Sequence, residues 1–384
     1  MNKILVIHTK YQNIGGEDIA VDKEVEYLSK YFEVETLYFS NNIKSYFRQL
    51  IYLLINRNFE SDKKVKEKIS SFSPDLIYIH NTWFKASLGI FSVIKKINLP
   101  YVIKLHNFRY DCTRYVFAKN HFKSSDYCNL CGLDKKSMGL LNSYFPESKI
   151  KSIFVIIYGK KYFRILKNEK NNIFVLTKFH KIYLSNLLDN SRNIKVLPNS
   201  IDISNANKKN NNSEKFIVYA GRISKEKGVE ELIKTFNKVN LENIELKIIG
   251  DGPYLTKLKQ KYIQKNIKFL GAMSNNDTID IISKSLAVVT ATKLYEGQPT
   301  LLCEASLLGI PSIFPDTGGI KEFFPNEYEL KFEQFNYDDL EKKLLNIHDE
   351  EFLLTLGKKN KEYISNFFNN LNLQEKLVSI HNHE

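Results

Sequence analysis

The chain has 384 residues, of which 43% are hydrophobic and 26% charged. This suits a globular protein of two ordinary domains and excludes a disordered chain. The formal net charge of +13 is uneven, with +12 in residues 101–200 and −7 in residues 301–384. The asymmetry predicts an anionic partner (a membrane surface, a nucleic acid or a phosphorylated substrate), or it reflects only a well-solvated, lysine-rich surface.

A short apolar run lies close to the N-terminus. Only four apolar residues, Ile4 to Ile7, follow residues 1–3, which is far shorter than the core of a signal peptide. No uninterrupted apolar run approaches the roughly 18 residues of a membrane span. Four cysteines do not indicate a disulfide scaffold. We therefore expect a cytoplasmic protein, at most peripheral on the inner face of the cell membrane.

Short β-branched runs alternate with stretches of helical length. They lie near residues 3–8, 75–80, 101–106, 172–177, 216–221, 245–250, 267–271 and 286–290. Runs this apolar are typical of parallel strands covered on both faces, and the spacing between them predicts doubly wound α/β units. No strand pattern follows Asp338, so the C-terminal stretch is predicted to be helical.

The alternation is interrupted once, at residues 198–202 and the polar tract 204–215, which predicts a domain boundary. We predict an N-terminal Rossmann-like domain over residues 1–198 and a C-terminal Rossmann-like domain over 199–365. A final helix over 366–384 is predicted to pack back on the N-terminal domain. Because ligands of such domains bind beyond the carboxyl ends of the strands, the two domains are expected to face a central cleft.

The strongest chemical motif lies in residues 295–311. Pro299 suits the first position of a helix, and Gly309 suits its end. The N-terminus of that helix would offer N–H groups and a positive dipole end to a diphosphate. Glu296, just before it, and Glu304, about 1.5 turns into it, could accept hydrogen bonds from a sugar and a ribose. The alternative is an ordinary α/β helix with Glu296 as a capping residue.

A second motif places cations after a predicted strand that ends at Gly221. Arg222, Lys225 and Lys227 lie in the loop, and a helix opens near Gly228. Two or three cations at the carboxyl end of a strand could neutralise a diphosphate, and arginine could bind two of its oxygens. The alternative is a solvated loop.

Weaker signals lie at the ends of the first three strand patterns. Gly15 and Gly16 follow the first, where adjacent glycines let the backbone approach a ligand, although many such pairs are only turns. His80 and His106 end the other two, and each would point into the proposed cleft or serve as an ordinary structural histidine.

These motifs together resemble the retaining glycosyltransferases of the GT-B fold known as glycosyltransferase family 4. The spacing of Glu296 and Glu304 is that of its EX7E motif, and residues 221–228 are similar to its G-R-x-x-x-x-K-G segment. Residues 250–253 resemble its G-x-G-P turn, residues 198–202 its interdomain hinge, and Gly15 with Gly16 its N-terminal glycine loop. The resemblance covers nearly the whole chain.

The resemblance implies an acceptor-binding N-terminal domain and a C-terminal domain that binds the nucleotide sugar. It implies catalytic roles for Glu296, His106, Arg222 and Lys227. The implied donor-binding set is Gly15, Gly16, Arg222, Lys227, Gly250, Glu296, Gly297, Gln298, Thr300, Leu301 and Glu304. The family often has Phe-Gly where this chain has Gln298 and Pro299, which leaves the sugar preference open.

The implied reaction transfers a sugar with retention of its anomeric configuration. The expected partners are a nucleoside-diphosphate sugar and a glycan or lipid-linked acceptor of surface polysaccharide, such as capsule or the O-antigen of lipopolysaccharide. No cofactor or metal is required if Arg222, Lys227 and the helix end neutralise the leaving diphosphate. Nucleic acid is not expected, because no recognition module is evident. The alternatives are a nucleotide-sugar epimerase and a sugar-nucleotide-binding subunit that has lost activity.

Cys128 and Cys131 have the spacing of metal ligands, with Cys112 a candidate third and His106 or His121 a candidate fourth. Residues 106–131 resemble a cysteine-bearing insertion in some polysaccharide-building members of the family. Two interpretations stay open: bound zinc, or a packed loop of reduced thiols that shapes the acceptor pocket.

Basic residues cluster near 149–170, interleaved with apolar ones. The basic residues are Lys149, Lys151, Lys160, Lys161, Arg164, Lys167 and Lys170, and the apolar ones Ile153, Phe154, Ile157, Tyr158, Tyr162 and Phe163. The mixture predicts a helix lying on an anionic bilayer. The alternative is that the apolar residues pack inward and the lysines only face water.

Overall fold

The computed structural model describes residues 1–11, 15–41, 51–52, 54–122, 126–137, 139–142, 144–145, 148–189, 193–201 and 215–381. These residues form two compact domains. The first comprises Met1–Ser200 and Leu371–Glu384, and the second Ile201–Asn370. Residues 202–214, which include all but the last residue of the polar tract 204–215 predicted at the boundary, lie outside the described residues.

The first domain is a parallel six-stranded sheet covered by helices. Its strands are β1 Lys3–Lys10, β2 Glu33–Ser40, β3 Leu76–Ile79, β4 Tyr101–Leu105, β5 Asn172–Val175 and β6 Ile194–Val196. Its helices up to the boundary are α1 Gly16–Leu28, α2 Phe59–Phe72, α3 Gly89–Ile97, α4 Arg109–Cys112, α5 Lys149–Leu166 and α6 Lys178–Leu188. The strand order is β2-β1-β3-β4-β5-β6. Ile4 to Ile7 of β1 are fully buried, as expected for a strand covered on both faces.

The second domain repeats this architecture. Its strands are β7 Lys215–Ala220, β8 Ile244–Ile249, β9 Ile267–Gly271, β10 Ala287–Val289, β11 Ser312–Asp316 and β12 Lys331–Glu333. Its helices are α7 Val229–Val239, α8 Leu255–Lys261, α9 Asn275–Ser283, α10 Thr300–Leu307, α11 Tyr337–Leu345 and α12 Glu350–Asn369. The strands pair in parallel in the order β12-β11-β10-β7-β8-β9. The order reverses between β7 and β10, and such a reversal places a ligand crevice at the carboxyl ends of these two strands.

The last helix, α13 Leu373–His381, belongs to the first domain. Leu373, Leu377 and Ile380 lie in one buried cluster with Ile4 and Tyr78 of that domain. The residues that end the chain therefore complete a core begun by its first strand.

Helix α5 has one buried face, and this corrects part of the membrane interpretation. Phe154 and Tyr158 pack inward: Tyr158 is 2% exposed, and its hydroxyl lies 2.7 Å from Thr82 Oγ1. Ile150 and Ile153 are 66% and 42% exposed beside exposed lysines. The apolar residues thus divide between the core and solvent. Among the described residues, no helix is long and apolar enough to cross a membrane.

Candidate active site

A lysine–glutamate pair marks the reversal point of the second sheet. Lys227 Nζ lies 2.5 Å from Glu296 Oε1, and Thr292 Oγ1 donates to the same oxygen over 2.9 Å. Lys227 ends a short 3-10 turn after β7, whereas Glu296 lies in the loop after β10. The side chains are 29% and 23% exposed, so a ligand can reach both. Two predicted site residues, separated by 69 positions, therefore meet in the crevice.

Glycines allow the loops of this crevice to approach one another closely. Gly228 has a φ of +68°, and a Cβ there would lie 1.9 Å from the carbonyl oxygen of Ala291. Gly250 has a φ of +133°, and its Cβ would lie 1.9 Å from the carbonyl oxygen of Gly221. No larger side chain fits either place without displacing backbone. Gly250, predicted to bind donor, thus has a local packing role in this structure.

The backbone around Glu296 is held by a glycine pair that sequence reasoning missed. The N–H of Gly319 donates to the carbonyl oxygen of Glu296 over 2.8 Å. Gly318 has a φ of +59°, and a Cβ there would lie 2.4 Å from that oxygen. The available signal was a Gly-Gly pair just after a strand, the same signal as at Gly15 and Gly16.

Helix α10 begins at Thr300, with Pro299 as the residue before it, so the predicted first position is shifted by one. The N–H of Thr300 donates to the carbonyl oxygen of Gln298 over 3.0 Å, which leaves the following N–H groups of the first turn as candidate phosphate donors. Gly309 follows the end of the helix and has a φ of +77°. A residue in this left-handed conformation turns the chain away from the helix axis, so the helix ends here. Gly297 and Gln298 are buried, and Leu301 lies in the first turn.

Arg222 and Glu304 lie in contrasting environments. Arg222 is exposed on the loop after β7, and its carbonyl oxygen accepts from the hydroxyl of Tyr219 over 2.9 Å. Glu304 is 3% exposed within α10. Their roles toward diphosphate and ribose stay predictions.

A second ion pair beneath the crevice was not predicted. Lys293 is buried, and its Nζ lies 2.7 Å from Glu231 Oε1 of α7. The N–H of Lys293 also donates to the carbonyl oxygen of Glu226 over 2.9 Å. A buried lysine needs such a partner, and the pair joins the loop after β10 to the loop and helix after β7. Nothing in the local sequence distinguishes Lys293 from a solvated loop lysine.

In the first domain, His106 stacks on His80. His80 Nδ1 lies 2.9 Å from His106 Nε2, with the ring centroids 5.2 Å apart. Burial holds the pKa of both imidazoles well below the usual range, so both are neutral at pH 7 and one donates to the other. His80 Nε2 lies 3.9 Å from Glu24 Oε2. The stack fixes the orientation of the His106 ring. Because both rings are neutral, the stack adds no positive charge to the site.

Beside His106 lies a polar pocket whose carboxylate sequence reasoning missed. Glu17 Oε2 accepts from the hydroxyl of Tyr11 over 2.9 Å and from Asn107 Nδ2 over 3.3 Å. Burial raises the pKa of the Glu17 carboxyl. Glu17, Tyr11, Asn107 and Arg109 line the same pocket as His80 and His106.

The predicted glycine loop lies near this pocket. Gly15 caps α1, and its N–H donates to Asp18 Oδ2 over 2.9 Å. Gly16 is exposed and open, because a Cβ there would meet nothing within 4 Å. Residues 12–14 of the motif lie outside the described residues. Approach of Gly16 to a donor phosphate stays a prediction.

The second domain is similar to a known protein family. Residues 200–367 match the family described as glycosyl transferases group 1. Over 292 residues the chain is 23% identical to the GPI3 subunit of phosphatidylinositol N-acetylglucosaminyltransferase from Saccharomyces cerevisiae strain YJM789, covering 70% of this chain and 60% of that relative. The chain therefore spans about 60% of that relative's length. It is 26% identical over 256 residues to the capsular polysaccharide biosynthesis glycosyltransferase CapM from Staphylococcus aureus, covering 59% of this chain and 67% of CapM.

Solved structures extend the similarity to both domains. The structure of Anabaena Alr3699/HepE in complex with UDP-glucose matches with a TM-score of 0.68 and 15% identity, covering 100% of this chain and 98% of that one. At this identity the match establishes the fold, and it agrees with the two parallel six-stranded sheets. The predicted GT-B fold is confirmed, and residues 200–367 of the second domain match the group 1 glycosyl transferases.

Proposed function

We propose that this chain is a retaining glycosyltransferase that moves a sugar from a nucleoside-diphosphate sugar to a glycan or lipid-linked acceptor during surface polysaccharide synthesis. The observation that carries the proposal is the Lys227–Glu296 pair at the strand-order reversal, 2.5 Å apart and part-exposed. The name of CapM, a capsular polysaccharide glycosyltransferase, supports the polysaccharide context. The UDP-glucose bound to HepE supports a UDP-sugar as the first donor to test.

In this proposal the donor replaces the internal ion pair. Lys227 exchanges the Glu296 carboxylate for a diphosphate oxygen, and Glu296 becomes free to accept hydrogen bonds from sugar hydroxyls. Arg222, exposed on the same loop, adds a second cation, and the first turn of α10 adds N–H donors. Such preorganised groups stabilise the charge that develops on the leaving diphosphate.

The proposed reaction needs no protein base. The bond from the anomeric carbon to the leaving phosphate oxygen breaks while a bond to the acceptor oxygen forms on the same face. The acceptor proton passes to the leaving phosphate oxygen. His106, held neutral by burial, is proposed to orient sugar hydroxyls near the reacting carbon. Because Lys227 and Arg222 supply positive charge, transfer is expected to need no added magnesium.

The acceptor is proposed to bind at the first-domain pocket. Its lining combines Glu17, Tyr11, Asn107 and Arg109, a set of carboxylate, hydroxyl, amide and guanidinium groups suited to sugar hydroxyls and anionic glycans. A lipid-linked acceptor would be presented at a membrane, and the exposed Ile150 and Ile153 of α5 are the proposed contact with an anionic surface.

The test begins with unfolding of the full chain in the presence of UDP, GDP, ADP and UDP-sugars. A ligand at 100 times its dissociation constant should stabilise the protein by about 2.7 kcal/mol. Radiolabelled UDP-sugar and extracted lipid-linked glycans should then yield labelled product, with the donor's anomeric configuration by NMR, in the presence of EDTA. Formation of an epimeric UDP-sugar without acceptor would favour the epimerase. The proposal would be overturned if none of these nucleotides stabilised the protein.

A further inference from the structure

Three cysteines and a histidine gather at the end of α4 and in the long connection from α4 to α5. One ligand atom from each of Cys112, His121, Cys128 and Cys131 lies within 4.8 Å of the other three. His121 Nδ1 is 3.5 Å from Cys131 Sγ. Tetrahedral zinc with ordinary bond lengths places a nitrogen and a sulfur ligand about 3.6 Å apart and two sulfurs about 3.8 Å apart. The cluster therefore has nearly the dimensions of a zinc coordination sphere.

We propose that Cys112, His121, Cys128 and Cys131 bind one structural zinc ion. Four protein ligands of the Cys3His type complete a tetrahedron, and a completed tetrahedron leaves no position for substrate or water. The ion would thus hold the segment together and take no part in sugar transfer. Of the two predicted fourth ligands, the geometry selects His121, because His106 is stacked on His80 instead.

Backbone hydrogen bonds shape the turn that carries Cys128 and Cys131. The N–H of Cys128 donates to the carbonyl oxygen of Leu133 over 2.9 Å, and the N–H of Cys131 donates to the carbonyl oxygen of Cys128 over 3.3 Å. The turn is closed by the N–H of Gly132, which donates to the carbonyl oxygen of Cys128 over 2.7 Å, and Gly132 has a φ of +77°. The turn therefore holds Cys128 and Cys131 close together, as two ligands of one metal ion require.

Burial around the cluster argues for a closed metal site. Cys112, Cys128 and His121 are at most 3% exposed. In the part of the chain described here, His121 Nε2 is buried without a hydrogen-bond partner. In either tautomer a neutral imidazole keeps one nitrogen lone pair, which it can donate to a metal.

The surrounding segment has little else to stabilise it. Between Cys112 and Lys149 the described residues form two 3-10 turns and two isolated β-bridges. The local apolar cluster is small, and two of its five buried members are Cys112 and Cys128 themselves. Segments with so few core residues are commonly held by a metal or a disulfide. All four cysteines are free thiols in this structure, which leaves the metal.

The proposed ion would also fix one wall of the first-domain pocket. Cys112 is the last residue of α4, and Arg109, Tyr110 and Thr113 beside it line the pocket. The carbonyl oxygen of Cys112 accepts from Asn142 Nδ2 over 3.0 Å, which ties the helix end to the same segment. This consequence rests on the proposed acceptor site, whereas metal binding itself does not.

The experiment measures metal directly. The full chain, expressed with zinc and purified without chelators, should contain about one zinc per molecule by mass spectrometry. Cys128→Ser and His121→Ala should reduce this to below about 0.1. Cys303→Ser is the matched control, because Cys303 is buried in the second domain, and it should retain the metal. His121→Cys, which restores four ligands, should bind zinc again.

A second readout protects the test against misfolded variants. Wild-type chain stripped of zinc should take up one cobalt ion and show the intense near-ultraviolet absorption of thiolate-bound cobalt, which zinc then displaces. Stabilisation by UDP, a property of the second domain, should persist in every variant. A zinc-free wild type that gives no cobalt–thiolate spectrum would overturn the proposal, as would alkylation under non-reducing conditions that finds Cys128 and Cys131 in a disulfide.

Discussion

At the scale of single residues, the central feature is an ion pair that a ligand can replace. Lys227 and Glu296 are part-exposed, so their attraction is weakened by water and contributes little to stability. The pair keeps two groups of opposite charge in position before substrate arrives. Preorganisation of this kind lowers the cost of arranging the groups during the reaction.

Replacing either member should therefore affect turnover far more than folding. Lys227→Ala and Glu296→Ala are each expected to reduce the rate of sugar transfer on the order of 100-fold or more, while the unfolding transition stays nearly unchanged. Lys261→Ala, which removes a pair of similar length with Glu230 (2.6 Å) at a lysine that is 49% exposed, is the control and should retain activity. Wild-type rates in both site variants would contradict the assignment.

A second residue-scale prediction concerns acid sensitivity. Burial lowers the pKa of His180 to about 3, whereas an exposed histidine titrates near 6.5. Below pH 6.5 the unfolded chain binds a proton that the folded chain does not, so stability present above that pH is lost as the pH falls toward 3. At pH 5 this histidine lowers the free energy of unfolding by about 2 kcal/mol.

The chain has one tryptophan, Trp83, and it lies in the first domain, so urea unfolding followed by its fluorescence reports on that domain. His180→Gln should shrink the difference in unfolding free energy between pH 7.5 and pH 5 by about 2 kcal/mol. Tyr110→Phe removes the hydroxyl 3.0 Å from His180 Nε2 but keeps the titrating ring, so it should leave the difference unchanged. An unaltered pH dependence in His180→Gln would show that another group is responsible.

At the scale of elements, close approach between loops shapes the donor crevice. Gly228 connects the 3-10 turn to α7 and contacts the backbone after β10. The position requires both a left-handed conformation and the absence of a Cβ. The two requirements can be separated experimentally, because Gly271 in the same domain has a φ of +78° with nothing within 4 Å of its Cβ position.

Gly271→Ala should cost about 1–2 kcal/mol of conformational strain. Gly228→Ala adds a collision with the Ala291 carbonyl and should cost about 3 kcal/mol or more, with loss of UDP binding because Lys227 is displaced. Calorimetry of the second domain's transition and UDP titration measure both effects. Equal costs for the two variants would mean that the contact with Ala291 is not a constraint.

The C-terminal helix offers a prediction about the first domain. Leu377 of α13 is fully buried against that domain's core. Leu377→Ala should destabilise it by about 2–5 kcal/mol, measured by urea unfolding with Trp83 fluorescence. Ile182→Ala on α6 of the same domain, where the side chain is 61% exposed, should change stability by less than about 0.5 kcal/mol. If Leu377→Ala left the unfolding free energy of the first domain unchanged, α13 would not stabilise that domain in solution.

At the scale of the whole molecule, charge and exposed apolar groups point to a surface partner. Residues 101–200 carry a net +12, and α5 within them exposes Ile150 and Ile153 beside Lys149 and Lys151. Basic residues near an anionic bilayer contribute about 1 kcal/mol each, and exposed isoleucines can enter its interface. Only part of the predicted apolar set remains available, since Phe154 and Tyr158 are buried.

Sedimentation with vesicles tests this surface. The chain should bind anionic vesicles at low salt and release them as salt rises, because a Debye length of about 10 Å at 0.1 M screens exposed charges. A double substitution of Ile150 and Ile153 by serine should weaken binding, whereas Ile263→Ser, at a second-domain position 85% exposed, should not. If equal amounts of protein stayed in the supernatant with anionic and with neutral vesicles, the proposal that this surface binds anionic membranes would be rejected.

The sequence by itself determined the fold class and the positions of Lys227 and Glu296 after the ends of strands. Alternating apolar strands and amphipathic helices are local patterns, and the strand-end positions of Lys227 and Glu296 place both at one edge of a parallel sheet. It also indicated where the helix after Glu296 ends, because Gly309 adopts its left-handed conformation for local reasons.

Only the tertiary structure decided the partners that distant segments supply. Glu17 joins Asn107 across 90 positions, Lys293 joins Glu231 across 62, and His121 rather than His106 completes the cysteine cluster. These side chains resemble ordinary loop or helix residues in the sequence. Their roles depend on which loops the strand order brings together and on burial, which makes an unpaired charge costly.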